Sequence, residues 1–293
     1  MKYFPLLFLI VLSSLTVPLI TSKNQARDER TVNFPKQEIQ VSHIPAKENV
    51  WVYLMAGQSN MAGRGFVEPK DTIIHKRVLT INKNGKLIYA KEPLHFYEPS
   101  NTGLDMGISF AKRIVSKTSD SISILIIPLA VGGSSIGQWI ENKKHRNVEL
   151  LKNFEDKVEI GKTYGKIKGI LWHQGESNAN NTPSISKYET NLSLLFSKFR
   201  KIVGNQNLPI VVGELGNYST TKKNWEKLNS KIRSYANTDL NVKIVSASGL
   251  TDKGDKLHFD SKSLRILGKR YAEKMLAHAN DPHDLGPYSP QMP

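Results

Sequence analysis

The chain predicts an α/β fold, a three-layer α/β/α sandwich around a five-stranded parallel sheet, and three observations lead there. Five short runs are rich in Val, Ile and Leu and nearly unbroken by polar residues. Strands covered on both faces read this way, whereas half-exposed strands alternate. Segments with apolar residues three and four apart lie between those runs. Strands alternating with helices pack as a parallel sheet with right-handed crossovers and helices on both faces. Finally, 293 residues at 39% hydrophobic content are enough for one sizeable core.

Taken in order, the chain opens with Lys2, an apolar stretch from Tyr3 to about Ile20, and small residues at Thr21 and Ser22. That is the layout of a signal peptide over residues 1–22. An uncleaved membrane anchor is the alternative, because the stretch approaches spanning length. Export follows, to a secreted or periplasmic location. Residues 23–48 are polar without a period and read as a linker or N-terminal arm. The five strands are expected at 50–56, 122–131, 168–174, 209–215 and 242–248. Helices are expected at 107–117, 184–203, 221–236 and 261–279, where spacings such as Leu264, Leu267, Tyr271 and Met275 line one face. Residues 77–93 hold two strand-like runs around Asn84-Gly85, a hairpin signal, and are expected to wall the site on one side. One domain spans 49–279, and the Pro-rich residues 280–293 read as a loose tail.

The net charge of +15 raises the question of nucleic acid. Lys and Arg are scattered, however, and the densest pairs, Lys143-Lys144 and Lys222-Lys223, make no basic stripe. No nucleic-acid partner is expected. The absence of cysteine excludes disulfides, thiolate catalysis and Cys-based metal sites. The histidines form neither H-x-x-x-H nor H-E-x-x-H, so no metal is expected. Nothing in the residues specifies an oligomeric state.

Four of the five strands run into unusual polar segments: "GQSNM" from Gly57, "VGGSSIGQW" from Val131, "HQGESN" from His173 and "GLTDKGDKLHFD" from Gly249. Ligands of open parallel sheets bind outside the carboxyl ends of the strands, so these segments share one rim. Acyl transfer needs an alcohol, a His to take its proton, a carboxylate to orient the His, and donors for the oxyanion. Ser59 supplies the alcohol. Asp255 and His258, three apart in a short loop, can face the same way. Backbone amides at Ser59 and in Gly132-Gly133, with the Gln174 side chain, are oxyanion candidates. Each has a plainer reading on its own: Ser59 as a helix cap, Asp255 and His258 as a cap and a surface His, Gly132-Gly133 as a tight turn. Their convergence on one sheet edge favours chemistry. The Gly-x-Ser-x-Gly elbow of α/β-hydrolases is absent, since Met61 follows Ser59 by two.

Together, "GQSNMAG", "GGSSIGQW", "WHQGESN" and "DKLHFD" resemble the SGNH hydrolases, and within them carbohydrate esterase family 6 acetylxylan esterases and sialate O-acetylesterase-like domains. The resemblance covers residues 49–279. It implies a flavodoxin-like sandwich and a cofactor-free serine esterase acting on an acetylated carbohydrate. It makes Ser59 the nucleophile and first oxyanion amide, Gly133 the second donor and Gln174 the third. His258 is the base and Asp255 its partner; Glu176 has a triad or supporting role in the acetylxylan-esterase branch, and the short Asp-x-x-His spacing favours Asp255. Gln58, Asn60 and Trp139, on the same rim, are the expected substrate contacts. The chain departs from the family at Asn178 and at Lys256, where the usual residue is Gly. With no room for the inserted domain of many sialate esterases, the reading tilts toward acetylated xylan. Sialate O-acetyl groups, or glycan binding without hydrolysis, are the alternatives.

Overall fold

The computed structural model describes Met1 and residues 28–279. The tail at 280–293 and, Met1 apart, the leader at 1–22 lie outside them. In chain order the elements are β1 (Val50–Gly57), α1 (Ser59–Ala62), β2 (Val78–Ile81), β3 (Leu87–Tyr89), α2 (Gly107–Val115), β4 (Ser123–Pro128), α3 (Ile136–Ile140), β5 (Lys144–His145), β6 (Val148–Glu149), α4 (Leu150–Tyr164), β7 (Lys166–His173), α5 (Thr182–Ser186), α6 (Tyr188–Val203), β8 (Ile210–Gly213), α7 (Lys222–Ala236), β9 (Val242–Val245) and α8 (Ser261–Ala279). The main sheet has seven strands in the order β3-β2-β4-β1-β7-β8-β9. The five expected strands form its contiguous parallel block, β4-β1-β7-β8-β9.

The other two strands are the Asn84-Gly85 hairpin. β2 pairs parallel with β4, and β3 returns antiparallel along β2. The hairpin therefore extends the sheet at its edge and does not wall the site, contrary to the sequence expectation; none of its residues lines the pocket described below. The edge it creates is covered in turn. Ile39 accepts from Tyr89 N–H at 2.9 Å and Gln40 bridges Ile88, so part of the 23–48 segment lies along β3 as an arm. Pairing an exposed edge removes a template for association.

Alternation along β1 divides the core. Val50, Val52, Leu54 and Ala56 join the cluster under α3, α4, α6 and α7, while Tyr53 and Met55 join the one under α2 and α8. All but Tyr53 are fully buried, which explains the unbroken apolar run. Helix α4 was not among the expected helices, although Leu150, Phe154, Val158 and Gly161 repeat at its buried face. The two-residue strands β5 and β6 are too short to leave a period.

Candidate active site

The ends of β1, β4 and β7 and the loop after β9 meet at one rim. β1 ends at Gly57, whose φ is 140°, and a Cβ there would lie 2.1 Å from the carbonyl oxygen of His173. Only glycine lets the chain leave β1 this close to β7. Gln58 N–H then donates to that same carbonyl at 3.0 Å, and Ser59 opens α1 with its hydroxyl at the rim.

His258 arrives from the loop between β9 and α8. Its Nε2 lies 3.0 Å from Ser59 Oγ and its Nδ1 lies 2.7 Å from Asp255 Oδ2. The other oxygen of Asp255 accepts from the N–H groups of Leu257 at 3.0 Å and His258 at 2.8 Å. One carboxylate thus shapes the loop and orients the ring. Partial burial pushes the Asp255 carboxyl up, but the N–H and imidazole of His258 and the Leu257 N–H outweigh it and hold it below the usual aspartate value. Burial lowers the His258 pKa, and Asp255 offsets this only in part. The imidazole is therefore neutral at pH 7, with Nδ1–H on Asp255 and a free Nε2 lone pair toward Ser59. Lys256 has a φ of 57°, the left-handed conformation that glycine adopts readily; Asp252 Oδ2 accepts its N–H at 2.7 Å and holds it there.

Glu176 lies elsewhere. Its Oε1 accepts from Asn60 Nδ2 at 2.5 Å and is 4.0 Å from His173 Nε2, while its Oε2 is buried with no hydrogen-bond partner among the described residues. Burial pushes this carboxyl up to about 7 and the His173 imidazole down to about 3. Of the two carboxylates, Asp255 is the one bonded to His258.

Three expected site residues need correction. Asn60 does not face substrate: its Oδ1 accepts from Phe259 N–H at 3.0 Å, and its amide nitrogen also donates to the Leu257 carbonyl at 3.2 Å. Both N–H groups of its carboxamide and its oxygen are engaged, and it ties the Ser59 turn to the His258 loop. Trp139 is fully buried, its ring 5.6 Å from that of Trp172, and its Nε1–H donates to Ser134 Oγ at 2.9 Å. It props the turn after β4 from the core and cannot stack on a sugar. Gln174 is also fully buried, and its amide nitrogen is surrounded by Gln58 Oε1 at 3.0 Å, Ser134 O at 3.1 Å and Asn178 Oδ1 at 2.8 Å. It has no N–H left for an oxyanion.

Gln58 stands where Gln174 was expected. Its Oε1 accepts from Gln174 Nε2 and, at 3.2 Å, from Ser177 N–H, which fixes the amide orientation. Its Nε2 has no acceptor among the described residues and lines the pocket beside Ser59. Gly133 N–H, on a residue with a φ of 77°, is likewise unpartnered there. The pocket encloses about 370 Å³ between Gln58, Ser59, Gly133, Arg146, Leu257 and His258.

Sequence reasoning missed the charges on the far wall. Glu98 takes the N–H of Gly132 at 2.5 Å, pairs with buried Arg64 at 2.9 Å, and bonds half-exposed Arg146. Burial pushes the Glu98 carboxyl up, but the two guanidinium groups and the Gly132 N–H win and keep it ionised. These residues sit in irregular segments, where no period or motif marks them. Among the described residues, no group of three or more His, Asp or Glu side chains is placed to hold a metal ion.

The family model described as "Carbohydrate esterase, sialic acid-specific acetylesterase" matches residues 49–277. The chain belongs to this family. It is a carboxylic ester hydrolase of the carbohydrate-acetylesterase kind. A probable carbohydrate esterase of Arabidopsis thaliana is 29% identical over 263 residues, covering 83% of this chain and 95% of that one. A crystal structure of an Arabidopsis thaliana protein superposes with a TM-score of 0.70 at 26% identity, over 78% of this chain and 98% of that one. The crystal structure of NanS gives 0.63 at 18% identity, over 80% and 98%, and shares the fold.

Proposed function

We propose that this carbohydrate esterase removes O-acetyl groups through an acetyl-enzyme on Ser59. The observation that carries the reading is the unbroken chain from Ser59 Oγ to His258 Nε2 and from His258 Nδ1 to Asp255, at 3.0 and 2.7 Å. His258 takes the hydroxyl proton as Ser59 Oγ attacks the acetyl carbonyl carbon. The oxyanion is met by the N–H groups of Ser59 and Gly133 and by the Gln58 side-chain amide, donors that no acceptor occupies among the described residues. The sugar oxygen leaves with the proton from His258. Water, deprotonated by the same Nε2, attacks the acetyl group and frees acetate and the Ser59 hydroxyl.

The motifs in the sequence tilt the substrate toward acetylated xylan. Arg146 favours a second reading. Its side chain is 47% exposed at the pocket mouth, and with Arg64 and Glu98 it leaves one net positive charge there. A sugar bearing a carboxylate gains from that charge, as an O-acetylated sialic acid does, whereas a neutral xylan does not. Acetate release from acetylated xylo-oligosaccharides and from O-acetyl sialic acids, by wild type and Arg146→Gln, separates them. The sialate reading expects the acidic substrates to lose at least tenfold in kcat/KM on substitution while neutral ones are unchanged. Equal small effects on both overturn it. Export rests on the N-terminal residues, and N-terminal sequencing of the mature protein from its host tests it: a start beyond residue 20 supports cleavage, a start at Met1 opposes it.

A further inference from the structure

A two-residue turn sets an odd hairpin against the rim. Arg146 and Asn147 join β5 to β6 with φ of 47° and 65°. Such turns want Gly or Asn at both positions, so Arg146 is held in a conformation costly for its type. Strain kept in place beside a site points to something the segment holds there.

What it holds is the turn after β4. His145 Nε2 lies 2.9 Å from the carbonyl of Gly132, an acceptor only, so Nε2 carries the proton. The other ring nitrogen agrees. Ser135 N–H donates to Gln138 Oε1 at 2.8 Å, which turns Gln138 Nε2 toward His145 Nδ1 at 3.3 Å. Backbone amide, glutamine and imidazole are thus aligned donor to acceptor, ending on Gly132. In a trans peptide the C=O and the following N–H point in opposite directions. Gripping Gly132 C=O therefore aims the Gly133 N–H. The neighbouring polar groups are pinned as well: Glu98 accepts from Gly132 N–H, and Ser177 Oγ donates to Gly133 C=O at 3.0 Å.

We propose that His145 is a positioning residue for the oxyanion site: its Nε2–H holds the Gly132–Gly133 peptide so that the Gly133 N–H meets the acetyl carbonyl oxygen. This rests on the reading of Gly133 as an oxyanion donor. The ring is partly exposed, so its replacement leaves the core intact. His145→Phe keeps the ring and loses the donor; His145→Gln keeps a donor at the Nε2 position. Losing an oxyanion donor outright lowers kcat about 10²–10³-fold, and freeing one to wander loses part of that. With a small aryl acetate, His145→Phe is expected to lower kcat about 10- to 100-fold with KM within about twofold. Phosphonylation of Ser59, which builds the same tetrahedral geometry, slows in parallel, and His145→Gln recovers most of both rates. Wild-type kcat in His145→Phe overturns the proposal, and so does a Gln variant as impaired as the Phe variant. Failure of the esterase reading itself shows separately, as equal aryl-acetate rates in wild type and Ser59→Ala.

Discussion

Replacing Glu176 by Gln tests the division of labour between the two carboxylates. The change keeps an oxygen for Asn60 Nδ2 and removes the titration. Burial raises the Glu176 pKa from 4.5 to about 7 in the folded protein. The folded state therefore binds the proton more tightly than the unfolded chain. Its contribution to stability is fully present below pH 4.5 and is lost as pH rises through about 7. At about 1.4 kcal/mol per unit, the loss is about 3 kcal/mol. His173, whose pKa burial lowers to about 3, works in the opposite sense: its contribution is present above its unfolded value of 6.5 and is lost as pH falls through about 3. That second effect is common to both proteins and drops out of their difference. Urea unfolding from pH 4 to pH 8 should show Glu176→Gln gaining about 3 kcal/mol on wild type across the range. Any fixed cost of burying the amide shifts the curve without changing its slope. A difference independent of pH refutes a buried, titrating Glu176. In the same samples, kcat of Glu176→Gln should stay within a few-fold of wild type. Asp255→Asn should lose about 10³–10⁴-fold, as the imidazole takes the wrong tautomer. A reversal of those two losses would transfer the orienting role to Glu176.

The free-enzyme pH–rate profile should place its acidic limb below pH 6.5, because burial lowers the His258 pKa from that value and only the neutral ring accepts a proton. A limb at pH 7.5 contradicts this. Gln58→Leu should lower kcat about 100-fold for an aryl acetate with little change in KM, since it removes an oxyanion donor; an unchanged kcat returns that role to another group. Lys256→Gly should raise stability by about 0.5–1 kcal/mol in urea unfolding, the left-handed strain at Lys256 outweighing the added freedom of Gly in the unfolded chain. Lower stability would mean that the Asp252 contact fully supports the lysine backbone.

Much of the fold is legible because β1, β4, β8 and most of β7 are buried on both faces, and burial writes itself as unbroken Val, Ile and Leu. The outer hairpin is legible as a hairpin, but its place is not. Whether β2 joins β4 depends on pairing with a strand some 45 residues later, which no local pattern encodes. Ser59, Asp255 and His258 are legible because the chemistry needs those types at strand ends, and Asp255 and His258 share one short loop. The errors concern direction. Gln58 and Gln174 are the same residue type on one rim, and only the hydrogen bonds at Gln174 show that its amide faces inward. Asn60 and Trp139 sit beside Ser59 and the Gly132-Gly133 turn in sequence, yet burial turns both into supports. Arg64, Glu98 and Arg146 come from three separate loops and meet only in three dimensions.

The central claim, that Ser59 carries the acetyl group, is tested most directly by acid-quenching the enzyme during turnover of an aryl acetate and mapping its peptides by mass. Wild type should carry one acetyl group on the peptide containing Ser59, and Ser59→Ala should carry none and release no acetate. Acetate released at the wild-type rate by Ser59→Ala, or an acetyl group mapped to any other residue, would contradict it.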